Sequence, residues 1–81
     1  MKAIVKISLK DGVLDSQGKA TYHTICTMGY DDIVKDIKID KLINIELGDI
    51  DKQVAIKKVE KMCQDMLVNT VIEDYNIDII I

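Results

Sequence analysis

The chain has 81 residues, enough for one domain but at a size where core burial is incomplete and self-association commonly adds stability. Its net charge is −3 and all eleven basic residues are lysine; without guanidinium forks, and with only Tyr22, Tyr30 and Tyr75 to stack on bases, no nucleic-acid partner is expected. No apolar run is long enough to span a bilayer, and residues 1–6 alternate instead of building a signal-peptide core, so a cytoplasmic location and no membrane partner are expected.

Ala3, Val5, Ile7 and Leu9 alternate with Lys2, Lys6, Ser8 and Lys10, the period of a strand with one buried face; Ile4 is the exception. Asp11-Gly12 is a turn dipeptide, and Asp15 can cap a helix that starts at Ser16. That helix, over residues 16–28, carries Gly18, Tyr22, Ile25, Cys26 and Gly29 on a narrow stripe, which can be shared between core and interface. Gly29 supplies its left-handed cap.

Residues 33–47 hold one apolar phase through Ile33, Ile37, Ile39, Ile43, Ile45 and Leu47. Two readings fit: a hairpin turning through Asp40-Lys41-Leu42, or one long strand, bent near Asp40-Lys41, that joins a neighbour's sheet. Asp51 can cap a second helix over residues 52–68, whose stripe is Ala55, Ile56, Val59, Met62, Cys63, Met66 and Leu67, with Met62 and Met66 as core filler and Asn69 as a left-handed cap. The last run, residues 71–81, places Val71, Tyr75, Ile77, Ile79 and Ile81 on one face, broken by Glu73; its apolar end should be buried or paired. The order βαββαβ implies a single α+β domain over residues 1–81, a split βαβ (ferredoxin-like) antiparallel sheet with two helices on one face. The hairpin and the shared bent strand both remain compatible with that order.

Reactive constellations are sparse. Gly18 and Lys19 sit in a first helical turn, where amides attract anions, but Gly12 and Gly18 lack Walker spacing and Ala20 follows the lysine. His23 and Cys26 supply two metal ligands where a site needs at least three, and Cys26 and Cys63 read as reduced, buried thiols. Asp31-Asp32 suits a solvated turn. Glu73 and Asp74 alternate across a strand and point to opposite faces, so they suit edge protection or partner contacts and not joint catalysis.

Two segments carry a resemblance. Lys10-Asp11-Gly12-Val13-Leu14-Asp15-Ser16-Gln17-Gly18 resembles the Lys-x-Gly-Val-Leu-Asp-Pro-Gln-Gly signature of the PurS family, the small subunit of phosphoribosylformylglycinamidine synthase. Asn69-Thr70-Val71-Ile72-Glu73-Asp74-Tyr75 resembles that family's Asn-Pro-Val-Ile-Glu-Asp-Tyr segment. Ser16 and Thr70 replace usual prolines, a change of local rigidity only.

The resemblance implies a non-catalytic subunit bridging an ATP-dependent synthetase subunit and a glutaminase subunit. It implies a role in ammonia transfer during purine biosynthesis, within a glutamine-hydrolysing ligase. ATP and magnesium would then belong to the synthetase partner, and this chain would hold no cofactor. It also implies docking through Lys10, Asp15, Gln17, Gly18, Lys19, Glu73, Asp74 and Tyr75; the chain's small size separately leads to the expectation of self-association, as a dimer or tetramer. Two other classes compete: a ferredoxin-like regulatory module binding a small ligand such as an amino acid between protomers, and an acylphosphatase-like hydrolase. The hydrolase lacks anion donors beyond Lys10, Lys19 and backbone amides.

Overall fold

Strand β1, Lys2–Leu9, lies at the centre of the sheet because its alternation gives it a fully apolar face: Ala3, Val5 and Ile7 are buried. The computed structural model describes residues 1–81. Strand β2, Lys41–Glu46, and strand β3, Glu73–Ile80, flank β1 in the order β2-β1-β3, both antiparallel to it. Val5 stands opposite Ile43 on one side and Ile77 on the other, and Ala3 opposite Ile45 and Ile79. Paired residues share a face, so the odd positions of the three strands form one surface, apolar except for Lys41 and Glu73, and a one-residue slip would turn its apolar residues to solvent.

Helix α2, Lys52–Met62, covers part of that surface. Asp51 starts it by accepting the Gln53 amide at 3.1 Å, and Ala55 and Val59 are its buried residues. A π-helical turn, Cys63–Leu67, follows and buries Cys63 against Val59 and the β1 face. The wider turn shifts the helical phase, so Leu67 and Val68 reach the core while Met66 is 80 % exposed; Met62, ahead of that turn, is already 40 % exposed. The expectation that both methionines fill the core therefore fails. Asn69 is not left-handed, since no residue other than glycine has positive φ. It forms a turn in which its carbonyl accepts the amides of Ile72 and Glu73.

Helix α1, Ser16–Ile25, starts where the cap predicts and continues into a second π-helical turn, Cys26–Tyr30, where Gly29 takes φ 97°. Its only buried residue is Gly18, and it makes at most marginal contact with the strands. Two helices and an antiparallel α+β sheet are present as expected, but within one protomer α2 alone covers the apolar face. The molecule measures 49 × 26 × 14 Å with a radius of gyration of 16.3 Å, against roughly 12 Å for a compact chain of this length.

The hairpin does not form. Only β2 is a strand within residues 33–47, beginning at the expected bend; the Ile33 and Val34 amides close a turn onto the Tyr30 carbonyl, and residues 35–40 run from there to Lys41 as an arm outside the sheet. The protomer therefore has one strand fewer than βαββαβ. Two causes combine: the turn lacks a glycine, and the Ile39 amide donates to the distant Asp15 instead of pairing across a turn. At the C-terminus β3 pairs through Ile80 with Lys2, leaving Ile81 89 % exposed.

Val59 is fully buried, so Val59→Ala should lower the unfolding free energy by about 2 kcal/mol, whereas Met66→Ala should change it by less than about 0.5 kcal/mol. Urea unfolding at one fixed protein concentration checks both.

Candidate functional site

The residues from Lys10 to Asp15 leave β1 as an ordered turn. The Lys10 amide donates to the Ile72 carbonyl at 2.8 Å and the Val13 amide to the Lys10 carbonyl at 3.2 Å. Gly12 sits at φ 85°, a conformation that a side chain would strain. The turn lies beside the start of β3, where Lys10 Nζ meets Asp74 Oδ1 at 2.9 Å. Both groups are substantially exposed, so the pair contributes little stability and serves better to hold two charges at a fixed spacing.

Asp15 is the joint of the region. One carboxylate oxygen accepts the Gly18 amide at 2.8 Å, capping α1, and the other accepts the Ile39 amide at 2.9 Å, tying down the arm. The Ile39 and Gly18 amides, in that order, together with Lys38, hold the Asp15 carboxyl below the usual carboxylate range. Gly18 makes the closeness possible: a Cβ there would collide with the Asp15 carboxylate and stand 2.6 Å from the Ile37 carbonyl.

Two clefts open on either side of Asp15. The larger, about 450 Å³, has Ser8, Lys10 and Asp74 on the sheet side and Lys38 and Asp40 on the arm side, with Asp15 between them. The smaller, about 240 Å³, is lined by Asp15, Gln17, Ile39, Lys41, Ile72 and Glu73 among others. The structure therefore brings Lys10, Asp15 and Asp74 together in one cleft and places Gln17 in the adjoining one. Gly18 is buried beneath the arm, and Lys19 is exposed outside both clefts. Lys38 and Asp40 are additions from the stretch that the sequence leaves open between a hairpin and a long bent strand; their only advance signal is their position next to the bend.

Glu73 and Tyr75 face the interior. Glu73 is 7 % exposed and fully engaged within the chain, with Oε1 accepting the Asn69 amide at 2.9 Å and Oε2 the Lys41 ammonium at 3.0 Å. The Asn69 amide first and then Lys41 hold its carboxyl below the usual range. Tyr75 packs against the core. Glu73 and Asp74 do point to opposite faces, and only Asp74 presents its charge outward. Burial pushes the Cys63 thiol up, with Glu60 adding to the effect, so this cysteine is an inert packing group. His23 is exposed on α1, and no three His, Cys, Asp or Glu side chains converge as a metal set. In the larger cleft Lys10 is paired with Asp74 and Asp15 with two amides, while Lys38 and Asp40 line the arm side.

In an unhindered helix Gly→Ala adds up to about 1 kcal/mol. At Gly18 the backbone carbonyl of Ile37 stands in the way, so Gly18→Ala should instead lower the melting temperature, by roughly 4–8 °C for each kcal/mol lost. A thermal melt reads the sign directly. Glu73 carries its own prediction. Its folded pKa is depressed, so its stabilisation is present at neutral pH and is lost as pH falls through that lowered value. Glu73→Gln should cost about 1 kcal/mol near pH 7, discounted for the exposed Lys41 partner. The gap to the native chain should close once both carry a neutral side chain, as urea midpoints measured between about pH 7 and pH 3 would show.

The phosphoribosylformylglycinamidine (FGAM) synthase model, PurS, matches residues 2–80. The phosphoribosylformylglycinamidine synthase subunit PurS of Bacillus subtilis is 42 % identical over 80 residues, spanning 96 % of this chain and 90 % of that one. The crystal structure of PurS from Methanocaldococcus jannaschii, one of the subunits of formylglycinamide ribonucleotide amidotransferase in the purine biosynthetic pathway, superposes with a TM-score of 0.85 at 35 % identity, covering 95 % of this chain and 92 % of that one. A chain of PurLQS from Thermotoga maritima gives a TM-score of 0.84 at 26 % identity, with 95 % and 93 % covered. With the match running from the first strand to the last and the same fold in each relative, the chain belongs to the PurS family.

Proposed function

We propose that this chain is the non-catalytic small subunit of a phosphoribosylformylglycinamidine synthase complex in purine biosynthesis. In this reading it bridges the ATP-dependent synthetase subunit and the glutaminase subunit and supports delivery of ammonia between them. ATP and magnesium are bound by the synthetase partner, and assembly takes place in the cytoplasm. The observation that carries the reading is the larger cleft: the family-like residues Lys10, Asp15 and Asp74 meet there, fixed by their own pairings and open to a partner.

Self-association as a dimer or tetramer belongs to the same proposal. The α1 stripe of Tyr22, Ile25 and Cys26 is only half-buried, and so are Ile43, Ile45, Ile77 and Ile79 on the sheet. The arm offers unpaired backbone groups, the edge on which a second copy can add a strand. Such pairing would extend β2 through the bend as the long shared strand.

Reconstitution tests both parts. Glutamine-dependent formation of formylglycinamidine ribonucleotide by the synthetase and glutaminase subunits should require this chain, while ammonia-dependent formation by the synthetase should persist without it. Equal glutamine-dependent turnover with and without the chain would refute the bridging role. Light scattering of the pure chain should give a mass of at least two protomers.

A further inference from the structure

The walls of the larger cleft come from two parts of the chain. Ser8, Lys10 and Asp74 ride on the sheet, whereas Lys38 and Asp40 ride on the arm. Over residues 35–40 the arm makes two hydrogen bonds. Ile37 donates to its own neighbour Asp36, and Ile39 donates to Asp15, the one bond that reaches outside the arm. The Gly18–Ile37 approach puts the arm in direct contact with the first turn of α1, so Asp15 grips a surface already shaped to receive the arm.

We infer that Asp15 is a positioning residue for docking: by latching the arm onto the start of α1 it sets the spacing of Lys38 and Asp40 from Lys10 and Asp74, and with it the charge pattern a partner subunit meets. The inference rests on the docking reading of the cleft. It assigns Asp15 a task beyond capping, because a cap needs one acceptor oxygen and this carboxylate uses both. The cleft charges themselves need not change for docking to weaken; their spacing does.

Asp15→Ser separates the two tasks. Serine caps helices about as well as aspartate, but its single, shorter hydroxyl cannot also reach Ile39. The α1 amides should keep their protection from hydrogen exchange while exchange at the Ile39 amide rises about tenfold or more. When the chain is titrated into the synthetase–glutaminase pair, the half-saturating concentration for glutamine-dependent turnover should rise about tenfold, with turnover at saturation unchanged. Should α1 lose its protection in this variant, Asp15→Asn supports the same comparison, since it keeps the cap and sets an amide N–H against the Ile39 donor. Unchanged exchange at Ile39 overturns the latch. Faster exchange with unaltered half-saturation overturns its role in docking. A native chain that produces no saturable response overturns the docking reading and this proposal together, whereas a native response matched by the variant overturns the proposal alone.

Discussion

A single carboxylate fixes how the first helix and the arm relate. Asp15 accepts one amide from the helix that follows it and another from a residue 24 positions further along the chain. α1 makes almost no contact with the sheet, so its first turn is held against the rest of the chain by this second bond and by the Gly18–Ile37 approach. Local capping chemistry is thereby converted into tertiary order: the group that starts the helix also sets where the arm runs. The requirement for glycine at position 18 follows from the same geometry, since the arm's carbonyl backbone occupies the space a side chain would fill.

Glu73 does the equivalent work at the far side of the smaller cleft. It lies on the apolar face of β3, a place where a charge is costly unless satisfied. The satisfaction comes from the turn after α2, through Asn69, and from the first residue of β2, through Lys41. One side chain thereby ties the turn after α2 and the start of β3 to the first residue of β2. The two carboxylates thus bracket the approach to the arm, one holding Ile39 and the other Lys41.

Local signals made the strands and both helix starts legible. The alternation of Ala3, Val5 and Ile7, the Asp15 and Asp51 caps and the positive φ of Gly29 all appear where the residue types require them. What escaped depends on partners distant in sequence. Nothing around Ile39 reveals that its amide is claimed by Asp15, and the same apolar alternation that describes a hairpin describes an arm. The π-helical turn at Cys63–Leu67 moves Met66 out of the core by a change of winding that a fixed helical period cannot express. The site was legible in part for the same reason. Lys10 and Asp15 sit in a recognisable turn, Asp74 joins them through strand register, and Lys38 and Asp40 arrive only once the arm is latched. Glu73 was visible as a break in the pattern, but its use inside the protomer required knowing where Lys41 falls.

The protomer's proportions connect its fold to its work. Nine residues of 81 are buried, and the apolar cluster at the centre contains only small and medium side chains, the largest being Ile7. A core of that size supports a marginal domain, and the half-covered sheet face and the separate α1 stripe are apolar surface held back from it. A catalytic domain gains from closing such surface within itself, because a water-free pocket strengthens electrostatic stabilisation of a reacting group. A subunit that organises others gains from the reverse. An extended shape reaches more than one neighbour, unpaired backbone accepts another strand, and a cleft with charges fixed by internal pairing presents a defined pattern without binding anything reactive. The features that leave this chain incompletely packed on its own are therefore those that suit it to assembly, and Asp15 keeps them in one arrangement.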